Sequence, residues 1–178
     1  MFEGAVRVVD ADGKNVPPGD SGEVQIYGRH VFAGYLRNEA ANSQSLSADG
    51  WLRTGDTGLW TADGSLQLVG RMTEMYKSGG YNIYPREIEA VLESHPGVAM
   101  AAVIGVDDPL WGEVGYGFVL ASGDDVDSAS LVALCRERLA AYKVPKVIEV
   151  RAELPLLPIG KIDRKRLASL IADHKNGH

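Results

Sequence analysis

The sequence predicts an α+β protein in two unequal parts. A β-rich stretch covers residues 1–70. A small α+β module follows over about 71–172, with a short mixed or antiparallel sheet and flanking helices. Three observations carry this division. Gly and Pro punctuate the first 70 residues, with short β-branched runs between them. From Gly70-Arg71 onward, apolar residues recur at helical spacing. Val98–Val106 is nearly all apolar, as a strand buried on both faces should be. The 178 residues leave room for one ordinary domain or two small ones.

The elements follow in order. Ala5–Val9 is a first strand, and Ala11-Asp12-Gly13 a turn whose glycine tolerates positive φ. Val16–Asp20 is a loop. Glu23–Tyr27 alternates polar and apolar, the period of a half-buried strand. Trp51–Arg53 and Ser65–Val69 are further strands, and Asp63-Gly64 marks a hairpin between Leu59-Trp60 and Leu66–Leu68. Pro85 opens a helix, because its missing N–H would be unpaired there anyway. Ile88, Val91 and Leu92 form the apolar face of that helix, and His95-Pro96-Gly97 stops it. Val98–Val106 and Gly115–Leu120 are strands. Ser128 or Ser130 caps a helix striped by Leu131, Leu134 and Leu139. Val147–Val150 is a short strand after Pro145. Asp163 caps a last helix carrying Leu167, Leu170 and Ile171. The tail, 173–178, is polar and expected to fray.

Composition excludes several classes. The net charge is −6, against the basic patch expected of a nucleic-acid binder. Cys135 is the sole cysteine, so no internal disulfide is possible, and no Cys/His cluster has zinc spacing. It lies among helical apolar positions and reads as packed. No apolar run is long enough to span a bilayer. Met1–Gly4 lacks the basic region and apolar run of a signal peptide. His30, His95, His174 and His178 have no clustered partners. A protein of the cytoplasm is the expectation.

Three polar clusters sit in Gly-rich surroundings. In Arg53-Thr54-Gly55-Asp56, an aspartate flanked by flexible backbone suits a vicinal diol such as ribose; a plain turn aspartate is the alternative. Gly70–Tyr81 joins the two textures, a candidate hinge or simply a hairpin turn, and Gly79-Gly80 permits close approach to the backbone. Leu154–Arg164 is a Pro- and Gly-bounded loop with Lys161 at its tip. Such a lysine is either a solubility device or a point cation for a phosphate or carboxylate. There is no Gly-x-x-x-x-Gly-Lys-Ser/Thr phosphate loop, no nucleophile elbow and no Ser-His-Asp arrangement.

In this order and spacing the clusters resemble the C-terminal region of adenylate-forming enzymes, the acyl-CoA synthetase (AMP-binding) superfamily. The matching text is Gly22-Glu23, Ala33-Gly34-Tyr35, Trp51–Asp56, Gly70-Arg71, Lys77–Glu89, His95–Val98, Asp108–Glu113, Tyr142–Lys146 and Gly160–Arg164. The resemblance implies that 1–70 is the C-terminal β-rich part of the large AMP-binding domain, that 71–172 is a mobile lid, and that 173–178 is a tail. It implies two half-reactions: a carboxylate attacks the α-phosphate of ATP, then a thiol of CoA takes the acyl group. Asp56 would hold the ribose hydroxyls with help from Arg71. Lys161 would be the adenylation lysine. Thr73 would be the hinge, where the family usually carries Asp or Lys, followed by Glu74 where Asp is common. After rotation, Lys77 and Gly79-Gly80-Tyr81 would face the pantetheine channel. ATP and CoA are the implied co-substrates, with magnesium accompanying ATP on a ligand outside this chain.

The family's phosphate loop, adenine contacts and acyl pocket lie upstream of anything in the sequence. The expectation is therefore that the chain alone is inactive, and that its partner is the N-terminal half or another copy joined through residues 1–70. Three alternatives stand beside the CoA ligase: a non-catalytic or split-partner binding module of the same fold, the adenylation domain of a peptide synthetase, and a purely structural α+β domain. The sequence ends six residues after Ala172, so the expectation is that no carrier domain follows and that the ligase is favoured over the peptide synthetase.

Overall fold

The computed structural model describes residues 4–123 and 126–176, the last four as backbone only. Met1–Glu3, on which part of the no-leader expectation rests, and His178 lie outside the described residues, as does the His174 side chain. The chain divides into two compact units, Met1–Thr73 and Glu74–His178.

The first unit is an antiparallel sheet in the order β1-β2-β3-β4, formed by Gly4–Val9, Ser21–Gly28, Leu52–Trp60 and Leu66–Arg71. Val8, Val9 and Val24 are its buried apolar residues. The Asp63-Gly64 hairpin forms as expected, with Trp60 opposite Leu66 and Gly64 at φ +81°. Two features depart from the sequence expectation. A short helix, α1 (Glu39–Ser45), stands where no helix is predicted. Its polar residues give no apolar period; it is held by the Asn38 cap and by Asn42, whose side-chain amide bonds both backbone groups of Tyr35. The third strand also does not end at Arg53. It continues through Thr54-Gly55-Asp56 as a bulge, because the register on β2 moves only from Gln25 to Glu23 while β3 moves from Arg53 to Thr57.

In the second unit the order is hairpin, helix, strand, strand, helix, strand, helix, as the sequence predicts. The elements are β5 (Tyr76–Ser78), β6 (Tyr81–Ile83), α2 (Pro85–Glu93), β7 (Val98–Asp108), β8 (Gly112–Ala121), α3 (Ser128–Arg138), β9 (Val147–Arg151) and α4 (Arg164–Asn176). The sheet runs β6-β5-β8-β7, with β9 alongside β8. β9 pairs parallel to β8, which α3 permits by supplying the crossover; the other pairs are antiparallel. Ile88, Leu92, Leu131 and Cys135 cover one face over Val103 and Val119. Leu154, Leu167 and Ile171 cover the other over Ala102 and Phe118. β7 is thus covered on both faces, which explains its unbroken apolar run.

Local corrections have simple causes. Asp127, not Ser128 or Ser130, caps α3, accepting the Ser130 N–H at 2.7 Å. A carboxylate is the stronger acceptor at a helix N-terminus. Leu139 falls beyond the helix, and Cys135 takes the buried place in its stripe. Burial pushes the Cys135 thiol pKa up. α4 continues past residue 172 to Asn176, since the first stop signal is Gly177. His95 is structural: its Nδ1 accepts the Gly97 N–H at 3.1 Å.

Candidate functional site

The Arg53–Asp56 cluster lies in the first unit, Gly70–Tyr81 spans the division between the units, and Leu154–Arg164 lies in the second.

Asp56 stands opposite Arg71 across β3 and β4. The bulge at Thr54–Asp56 is fixed by Thr54, whose hydroxyl donates to Val24 O at 2.7 Å and accepts the Asp56 N–H at 3.0 Å. Gly55, at φ +71°, makes the turn of the backbone possible. Arg71 Nε lies 2.8 Å from Asp56 Oδ1, and its Nη1 donates to Thr54 O at 3.1 Å. Asp56 is therefore a positioned carboxylate with a guanidinium beside it, rather than a free turn residue.

The Gly70–Tyr81 cluster holds two devices in succession. Met72–Glu74 is a single 3-10 turn, and the division between the units falls after Thr73. Then β5 and β6 form a hairpin whose two turn residues, Gly79 and Gly80, have φ of +56° and +86°. Both angles are positive, as a tight two-residue hairpin demands. Trp111 covers this turn: its carbonyl accepts the Gly79 N–H at 2.8 Å, and a Cβ on Gly79 would sit 2.9 Å from its ring. Lys77 is exposed, its backbone N–H bound to Glu113 Oε2 at 2.9 Å. Tyr81 stacks on Tyr142 with centroids 4.4 Å apart. Trp111, Glu113 and Tyr142 support the predicted Lys77–Tyr81 group from outside it. Neither their spacing nor their residue type announced that role.

Lys161 occupies the tip of a hairpin-like loop. Leu156 bridges Ile162, Leu157 N–H donates to Lys161 O at 2.7 Å, and Gly160 N–H donates to Leu157 O at 2.8 Å. Asp163 closes the base: its N–H reaches Pro155 O at 2.8 Å, and its carboxylate caps α4 at Arg166 N–H, 3.0 Å away. The side chain of Lys161 is exposed.

Two other lysines form ion pairs. Lys143 lies 2.7 Å from both oxygens of Glu87. Lys146 lies 2.5 Å from Asp108, and this ammonium, with the Leu110 and Trp111 N–H groups, brings the Asp108 pKa down to about 2. Among the described residues, no group of three His, Cys, Asp or Glu side chains gathers as a metal site, and no helix is long and apolar enough to cross a membrane.

Over most of its length the chain is similar to the C-terminal regions of adenylate-forming enzymes of the acyl-CoA synthetase kind. Residues 87–161 match the AMP-binding enzyme C-terminal domain family. Among curated relatives, 2-succinylbenzoate–CoA ligase of Bacillus licheniformis is 44% identical over 94% of this chain and 34% of its own length. Feruloyl-CoA synthase of Amycolatopsis sp. is 45% identical over 88% of this chain and 32% of its own. Among solved structures, the amide bond synthetase McbA of Marinactinospora thermotolerans superposes with TM-score 0.87 at 38% identity, over 94% of this chain and 34% of that one. The o-succinylbenzoate CoA synthetase of Bacillus subtilis, solved with its acyl-adenylate intermediate, gives TM-score 0.86 at 37% identity, with the same coverage. The chain thus spans about a third of the length of the relatives it matches.

Proposed function

We propose that this chain carries the lid and the ribose-contacting segment of an ATP-dependent acyl-CoA ligase. The observation that carries it is the joint presence of the Asp56–Arg71 pair at 2.8 Å and the exposed Lys161 on a closed loop, with Thr73 between them at the division of the units.

In the first half-reaction a carboxylate oxygen of the acid attacks the α-phosphorus of ATP. The bond to the bridging oxygen of pyrophosphate breaks, giving acyl-AMP. Asp56 accepts hydrogen bonds from the ribose hydroxyls while Arg71 holds its carboxylate in place. Lys161, a point cation, meets the charge that builds on the phosphate and carboxylate oxygens. Rotation about Thr73 then withdraws Lys161 and brings Lys77 and the Gly79-Gly80-Tyr81 turn to the thiol. In the second half-reaction, the CoA thiolate attacks the acyl carbon and AMP leaves. One site serves two reactions because a domain motion changes which residues line it. Magnesium travels with ATP, on ligands outside this chain. The cytoplasm is the compartment this function assigns.

The phosphate loop and acyl pocket belong to a preceding portion that the chain needs as a partner, so the isolated chain is expected to show no ATP–pyrophosphate exchange. Self-pairing through residues 1–70 is the other partner proposed, since β1 and β4 are both open edges. The test is a chimera in which residues 1–178 replace the matching region of Bacillus licheniformis 2-succinylbenzoate–CoA ligase. Thioester formation from 2-succinylbenzoate, ATP and CoA supports the proposal. A folded chimera without turnover refutes it.

A further inference from the structure

We infer that Arg164 and Glu89 form a clamp that positions the Lys161 loop, an inference that rests on the role given to Lys161 above. Glu89 lies on the face of α2 that also buries Pro85, Ile88 and Leu92, and it is only 2% exposed. A carboxylate at such a place is costly unless it is paired and hydrogen-bonded. Its Oε1 accepts the Val103 N–H at 2.9 Å and lies 2.6 Å from Arg164 Nη2. Arg164 Nη1 in turn donates to Val103 O at 2.9 Å. Its Nε lies 3.3 Å from Glu74, the first residue of the unit.

This arrangement does one specific thing. β7 is an edge strand, and the backbone N–H and C=O of Val103 point away from β8. The Glu89–Arg164 pair supplies one donor and one acceptor to that single residue, in place of a neighbouring strand. Arg164 is also the first residue of α4, three positions after Lys161, directly beyond the Asp163 closure of the loop. Leu154, buried against the Phe118 cluster, holds the entry of the loop. Arg164 holds its exit. A bare contribution to stability does not explain the choice of residues, because a buried ion pair is seldom better for stability than apolar side chains of the same volume. A planar fork reaching three partners at once fixes position, and lysine cannot reproduce it. Fixed position is what a charge-stabilising group needs, since small misplacements are expensive in rate.

Amide hydrogen exchange by NMR on the full 178-residue chain tests the clamp. In Arg164→Lys, the Leu157, Gly160 and Asp163 amides should exchange about tenfold faster or more, while the Phe118 and Val119 amides change by less than about threefold. A folded Arg164→Lys protein with unchanged loop amides overturns the inference. So does equal acceleration of loop and core, which would make the pair a device of global stability. Should Arg164→Lys not fold, Glu89→Gln, which keeps an oxygen for the Val103 N–H, decides by the same pattern. The measurement needs no nucleotide, so failure of the clamp leaves the role of Lys161 standing, and a Lys161 dispensable for adenylation leaves the exchange result standing.

Discussion

Replacing Gly105 with alanine should loosen the whole second unit. Gly105 and Gly115 face each other across β7 and β8, and Tyr76 of β5 lies over both. A Cβ at 105 would sit 2.4 Å from Tyr76 Cβ and 2.7 Å from its Cγ, and one at 115 would sit 2.6 Å from the hydroxyl oxygen. These Tyr76 carbons are next to the backbone, so no rotamer change relieves the overlap. β5 must shift, taking with it Lys77 and the Gly79-Gly80 turn. Overpacking of this kind costs about 1–3 kcal/mol, or about 5- to 150-fold faster exchange at amides that open only with the whole unit. Gly117, also on β8, is the control. A Cβ there meets Ile148 no closer than 3.4 Å, and its φ is not positive. Gly117→Ala should therefore be neutral or stabilising by up to about 1 kcal/mol, through loss of freedom in the unfolded chain. The assay is exchange at the Phe118 and Val119 amides in each variant. Wild-type protection in Gly105→Ala, or equal loss in both alanine variants, would refute the account of Tyr76 as the anchor of β5.

Asp108 sets an acid limit: its pKa falls from 3.8 to about 2 on folding, so its contribution is full above about pH 4 and lost as pH drops towards 2. Acid unfolding followed by tryptophan emission should be shallower across that window in Asp108→Asn than in wild type; equal slopes count against the Lys146 pair. Asp127→Ala should cost about 1 kcal/mol in urea unfolding through loss of the α3 cap. Ser128→Ala should stay within about 0.5 kcal/mol, and the reverse ranking would return the cap to serine. In the chimera, Thr73→Pro should impair at least one half-reaction; unchanged rates in both would remove Thr73 from the hinge.

Much of the second unit is legible in the sequence because its signals are local. Pro85 starts α2, Asp163 caps α4, and the apolar run of β7 reports cover on two faces. Gly79-Gly80 is readable as a tight turn from residue type alone. The first unit is harder. Thr54-Gly55-Asp56 looks like the end of a strand, because a bulge uses the same residues as a turn. α1 has no apolar face to detect; a cap and one asparagine hold it. The Glu89–Arg164 pair, separated by 75 positions, has no pairwise signal in the sequence. One clue was present: Glu89 falls on the apolar face with Pro85, Ile88 and Leu92, and a charge there needs a buried partner. The supports of the Lys77–Tyr81 group, Trp111, Glu113 and Tyr142, depend on how β5, β8 and the 3-10 turn Ala141–Lys143 meet, which only the fold supplies.

The proposed role of Lys161, in adenylation and not in thioester formation, is tested by measuring both half-reactions in the chimera, with and without Lys161→Ala. Carboxylate-dependent ATP–pyrophosphate exchange should fall by about 10²–10³-fold, the usual loss for one charge-stabilising group. Thioester formation from supplied acyl-adenylate and CoA should keep its rate. Equal loss in the two half-reactions, or no loss in either, would contradict the account.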